Sequence, residues 1–208
     1  MTSEYFHHGS ITLGEHLLED AIQTYIYSKK YLKNNKTTNY QIDISVKIAL
    51  LHDLYTIPWQ NNHHNKPAKF FNKHGFRHPI ESVINAVSWY PELFKKQSDA
   101  KKIIDGIIHH MYPLPVSSLI SLEENHLELN NFDKIKPISP LIKNMIIESS
   151  NRKKIKSISL SKSIYKEGRI MAKADKYISI KQMENIPAAT SLITGRNKKI
   201  KNNKNRIK

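Results

Sequence analysis

Apolar residues recur along this chain at intervals of three and four, while alternating β-branched runs are nearly absent. That periodicity predicts an all-α fold. The stripe Leu18, Ala21, Ile22, Tyr25 and Ile26 predicts a first helix over 17–33, followed by a polar loop over 34–40. Ser45 suits the cap of a second helix through Leu54, which stops before Pro58; the His-rich stretch 60–67 reads as a loop. Pro79 suits the first position of a third helix, with Glu81 in its first turn and Ile80, Val83, Ile84 and Val87 on one face. Ser98 and Asp99 open a fourth, with Ile103, Ile104, Ile107, Ile108 and Met111 inward, stopped by Pro113. Residues 114–160 are weakly periodic, with a short helix near 142–148. Ser161 or Ser163 opens a last helix to about Met183.

The 208 residues suffice for one ordinary domain with a core. No apolar run approaches the roughly 18 residues of a membrane span, and residues 1–11 lack a basic stretch leading into an apolar segment. The expectation is a soluble, cytoplasmic protein. With no cysteine, disulfides and thiolate metal sites are excluded, so any metal must be held by His, Asp or Glu. The formal charge of +15 invites a nucleic-acid reading, but its placement weakens that. Seven basic residues lie in 196–208 and four in 152–156; without them the chain carries +4. The tail over 196–208 reads as disordered and polycationic, adding at most weak, salt-sensitive contact with nucleic acid or an anionic surface.

Polar residues interrupt several apolar faces. His52 and Asp53 follow Ala49-Leu50-Leu51, one turn beyond an apolar run that contains no Lys or Arg to pair with a carboxylate. Either at least one faces the interior, where a lone carboxylate costs several kcal/mol unless paired or bound to metal, or the helix ends at Leu51 and both are solvated caps. Asp175 shares a helical stripe with Met171 and Ile178. His110 follows Ile103 by seven and Ile107 by three. His78 and His16 stand at helix starts. Helices that each present one or two N/O donors are how an all-α protein builds a metal site.

The order His16, His52-Asp53, His78, His110, Asp175, with 36 positions from His16 to His52, resembles the HD-domain metal-dependent phosphohydrolase superfamily. The similarity is closer to small stand-alone bacterial members. It runs through Glu15-His16, Ala49-Leu-Leu-His-Asp53 with Trp59, His74-Gly-Phe-Arg-His-Pro79, His110-Met-Tyr-Pro-Leu114 and Ala174-Asp-Lys-Tyr177. It covers about 10–115 and 164–180. The resemblance implies a single HD-domain helical bundle over 1–195, with an insertion at about 115–160, and a metal site between helices. Three features depart from the superfamily pattern: Leu54-Tyr-Thr after the His-Asp pair, the 65 positions from His110 to Asp175, and the basic tail.

By that resemblance His16, His52, Asp53 and Asp175 bind one divalent metal, and His78 and His110 bind a second metal or the substrate phosphate. Asp53 and His52 carry the catalysis, and His74 and Arg77 face the phosphate. His109 points away from the helix stripe and stays outside the set. Imidazole and carboxylate ligands suit Mn, Fe, Co, Ni or Zn, with Mg a weaker fit. The implied reaction is hydrolysis of a phosphate ester, of a nucleotide or another small phosphorylated metabolite, with water activated by the metal. Specificity would lie with Tyr55, Trp59, Arg77, Tyr112 and the 115–160 segment. The alternatives are a non-catalytic metal- or nucleotide-binding HD module and an RNA-binding protein working through its basic surface.

Overall fold

Thr12 starts the first helix. Glu15 N donates to the Thr12 hydroxyl at 3.2 Å while Thr12 N donates to the Glu15 carboxylate at 2.8 Å, a reciprocal cap that fixes where the helix begins and so which way His16 points. In this computed structural model, which describes residues 6–8, 11–32, 37–55, 74–117, 138–155 and 158–184, that helix is α1 (Leu13–Tyr31). It is followed by α2 (Thr38–Leu51), α3 (His74–Trp89), a 3-10 turn (Pro91–Phe94) and α4 (Gln97–Ile108). Next come α5 (Pro140–Ser150), whose cap is the Ser139 hydroxyl, and α6 (Lys166–Glu184). The sheet is minor. β1 (Phe6–His8) pairs antiparallel with β2 (Ile11–Thr12). β3 (Val116–Ser117), β4 (Lys154–Ile155) and β5 (Ile158–Ser159) form an antiparallel sheet in the order β3-β5-β4. The described chain is mainly α-helical.

Helices α1, α2 and α6 pack on one another, and α4 touches α2, α3, α5 and α6. The core is rich in isoleucine: Ile44 and Ile48 of α2, Ile80 and Ile84 of α3, Ile103, Ile104, Ile107 and Ile108 of α4 and Ile146 of α5 are all but sealed from solvent. β-branched side chains carry little rotamer freedom to lose, which suits close helix packing. Two glycines set the closest approach. A Cβ on Gly168 of α6 would stand 2.7 Å from the Cα of Gly106 in α4, and a Cβ on Gly106 would stand 2.6 Å from Ile48 Cδ1.

The structure corrects several sequence expectations. Of the expected apolar stripe of α1, Ala21 is buried in the core, but Leu18, Ile22, Tyr25 and Ile26 are exposed. The buried line of this helix is His16, Asp20, Thr24 and Ser28, spaced by four. Small and polar side chains there let α1 approach α2 and α6, and the cluster formed by His16 and Asp20 fixes the helix's rotation more strongly than its apolar face does. Ser45 is a buried residue inside α2, its hydroxyl donating to the Gln41 carbonyl, because α2 already begins at Thr38 within the expected loop. Pro79 sits inside α3, which begins at His74. The expected segments 60–67 and 196–208 lie outside the described residues. No helix among the described residues is long and apolar enough to cross a membrane.

Candidate metal centre

Two imidazoles and three carboxylates meet where α1, the end of α2 and α6 converge. His16 Nε2 lies 3.3 Å from Asp20 Oδ2, 3.8 Å from Asp53 Oδ2 and 3.7 Å from Asp175 Oδ1. His52 Nε2 lies 3.4, 3.6 and 3.9 Å from the same three oxygens. Helix α1 supplies His16 and Asp20 one turn apart on one face. α2 ends at Leu51, as one sequence alternative held, yet His52 and Asp53 just beyond it are buried. Met171 and Ile178 are buried on the same stripe of α6 as Asp175, so they aim the carboxylate inward.

The imidazoles are held in one tautomer. His16 Nδ1 meets the Gln182 side-chain oxygen at 3.0 Å, His52 Nδ1 the Ala49 carbonyl at 2.8 Å and His110 Nδ1 the Ile107 carbonyl at 2.7 Å. Each acceptor requires the hydrogen on Nδ1, which leaves the Nε2 lone pair toward the cluster, as a metal ligand requires. The residues that set this orientation, Gln182 above all, are partners that sequence reading alone does not reach.

Asp53 links a second group. Its other oxygen, Oδ1, lies 3.2 Å from His78 Nε2 and 3.6 Å from His110 Nε2, and these two nitrogens are 3.2 Å apart. His78 projects from α3, and His110 from the turn after α4. All six residues of the expected metal set therefore come together, His16, His52, Asp53 and Asp175 around one point and His78 and His110 around Asp53 Oδ1. Asp20 joins them as a donor the sequence reading passed over. The signal was present: it stands four residues after His16. The apolar stripe on the opposite face drew the helix register instead.

Burial and the neighbouring charges shift the titration of several of these groups. Burial, with His52 nearby, holds His16 below its ordinary value, and burial pushes His110 down to about 4. Burial also works against a charge on His52, but Asp53, Asp175 and Asp20 together push it up to about 9. Burial, and then Asp175 and Asp53, raise Asp20. In the metal-free chain the carboxylates thus retain protons on His52 and Asp20. Neither Asp20 oxygen nor His52 Nε2 makes a hydrogen bond among the described residues. Buried polar atoms without hydrogen-bond partners are rare and costly. Adjacent ligands of one ion at about 2.1 Å stand roughly 3.0–3.4 Å apart; the shortest separations here are 3.3 and 3.4 Å. Two groups, His16-Asp20-His52-Asp175 and His52-Asp53-His110, could each hold a metal ion.

The Arg77 guanidinium is buried and pairs with Glu81 at 2.9 Å. His74 opens α3, and its side chain lies outside the described structure, as does Trp59. Tyr55 is buried and 6.1 Å, ring to ring, from His78, whereas Tyr112 is exposed. His109 is buried but belongs to a different network. Its Nε2 donates to the Ser149 carbonyl at 3.1 Å, and beside it Asp105 accepts from Ser149, Ser163, the Ile164 amide and the Arg152 guanidinium. A cavity of about 560 Å³ opens in front of Asp53, His78, His110 and Asp175. Compared with protein-family models, curated proteins and solved structures, the chain matches none.

Proposed function

We propose that this chain is a metal-dependent phosphohydrolase of the HD-domain type that cleaves the phosphate ester of a small metabolite or nucleotide. The observation that supports this best is the position of Asp53. One carboxylate oxygen faces His16 and His52, the other faces His78 and His110, and Asp53 lines a cavity. His16, Asp20, His52, Asp53 and Asp175 would hold one cation, with Mn, Fe, Co, Ni or Zn suited to the mixed donors and Mg less so. A divalent cation bound there lowers the pKa of water and offsets charge on phosphoryl oxygens.

The chain's own groups do the rest. Asp53 orients the attacking water and takes its proton. His78, on the cavity side, donates to a phosphoryl oxygen, while His110, whose Nε2 lone pair faces the cluster, would serve as a ligand to a second cation together with His52 and Asp53. The Ser179 hydroxyl donates to Asp175 Oδ1 at 3.1 Å and holds that carboxylate in place. A bond forms between water oxygen and phosphorus, the ester P–O bond breaks, and the departing oxygen receives a proton, giving an alcohol and inorganic phosphate.

The test is elemental analysis of tag-free protein, wild type against Asp53→Ala, alongside hydrolysis of a panel of phosphate esters with each metal. Near-stoichiometric metal and hydrolysis, both lost in the variant, are expected. Metal without turnover would instead favour a non-catalytic binding module. No metal after incubation with Mn, Fe or Zn would overturn the site itself.

A further inference from the structure

The cavity in front of Asp53 divides into two unlike halves. At its inner end stand the His and Asp side chains of the cluster. The rest of the lining is mostly apolar: the buried Tyr55 ring, and Met111, Leu114, Ile180 and Met183. At about 560 Å³ it falls within the range of small-molecule sites, roughly 300–1,000 Å³. It is far larger than a phosphate needs, so most of it must receive the organic half of the substrate. Beyond the cluster, the described wall offers three polar side chains, and none of them is free: Tyr55 is a buried ring with an interaction of its own, and the other two are engaged. Ser179 donates to Asp175, and the Lys176 ammonium donates to the Tyr112 carbonyl. Burial further disfavours the Lys176 charge.

That division decides what the outer half selects. A sugar or nucleobase placed there would lose water from several donors and acceptors and regain few partners among the described residues, a penalty paid for each unpaired group. An alkyl or aryl group would lose only unfavourable hydration and fill space between Met, Leu and Ile side chains. We infer that the preferred substrate is a phosphate monoester of an apolar alcohol, with phosphate at the metal cluster and the hydrocarbon in the chamber bounded by Tyr55, Met111, Leu114, Ile180 and Met183. The inference rests on the metal-site reading above and narrows its substrate.

The test uses the full chain loaded with Mn and a series of n-alkylphosphonates from ethyl to octyl, which cannot be hydrolysed, measured by titration calorimetry. Affinity should rise about fourfold per added methylene, and removing Mn should abolish binding of the ethyl member. Ile180→Ser and Leu114→Ser, both at exposed positions that the fold tolerates, should each flatten the dependence on chain length. An affinity independent of chain length, or adenosine monophosphate binding more tightly than octylphosphonate, would overturn the inference. So would a chain-length dependence left unaltered by both variants. The two readings fail separately. If octylphosphonate binds in the expected way but octyl phosphate is not cleaved under any metal, the hydrolase assignment falls and the chamber stands. If ethyl phosphate is cleaved but chain length has no effect, the reverse holds.

Discussion

Asp20 separates a structural from a functional account of the buried cluster. A carboxylate kept for stability would be hydrogen-bonded, yet neither of its oxygens is, among the described residues. Replacing it with Asn nearly keeps its shape and leaves the position neutral, as burial and its neighbours already hold Asp20 when no cation is bound. The metal-free Asp20→Asn protein should therefore melt at the same temperature as wild type or higher, whereas its metal affinity should fall at least about tenfold, the scale seen when groups around a metal are removed. A melting temperature well below wild type with unchanged metal affinity would make Asp20 structural. Metal uptake should also be pH-dependent. A cation must displace the protons held on His52 and Asp20, so its affinity should rise with pH from about 6.5 toward 9. Calorimetry in buffers of different ionisation enthalpy would read the released protons. For the metal-free chain the sign runs the other way. His52 is raised from 6.5 to about 9, so its stabilisation is complete below pH 6.5 and is lost as pH rises through 9.

Between elements, the α4–α6 crossing determines where Asp175 is placed. Gly168→Ala would ordinarily favour a helix by about 1 kcal/mol. Here the new methyl would meet Ser163 Oγ at 2.5 Å and the Gly106 Cα at 2.7 Å, and the latter is backbone that cannot rotate aside. A net loss of about 1–3 kcal/mol is expected from the urea midpoint, the scale of overpacked cores, with weaker metal binding because α6 is displaced. A neutral or stabilising result would mean the helices are not in contact at this point. Such a crossing is not legible in the sequence, since it depends on two glycines 62 positions apart. What was legible is what is periodic. The Ile103–Ile108 face of α4 and the Met171–Asp175–Ile178 stripe of α6 lie inward as read. Where local pattern and site chemistry disagree, as on α1, the pattern misleads. His16 and Asp20 must converge with residues of two other helices, and that requirement leaves Leu18, Ile22, Tyr25 and Ile26 facing water. At Pro79 the proline's preference for a first helical position marks a start it does not occupy, because α3 already begins at His74.

At the scale of the whole molecule, the Asp105–His109 network is the counterpart of the metal cluster. It ties α4 to α5 through Ser149 and Arg152, and to the approach to α6 through Ser163 and Ile164. His109 fits it as a neutral ring, with Nε2–H donating to the Ser149 carbonyl and Nδ1 accepting from Ser161 at 3.2 Å. Burial pushes this imidazole down to about 4, with the Arg152 charge adding to that effect and Asp105 opposing it. A base lowered from 6.5 to about 4 contributes stability that is present above pH 6.5 and lost as pH falls through 4, at most about 3 kcal/mol. The metal-free protein thus loses stability on both sides, on the acid side as His109 must charge and on the alkaline side as His52 must discharge. His109→Gln, which retains a donor for the Ser149 carbonyl, should lower stability at pH 7 but flatten its fall between pH 6.5 and 4. Because His109 lies outside the metal cluster, the variant should leave near-stoichiometric metal binding at pH 7.5. Urea unfolding across that pH range, with elemental analysis at its neutral end, checks both halves. An unchanged acid slope would move the acid-sensitive group elsewhere, and loss of metal would show that the network and the cluster are one unit rather than two.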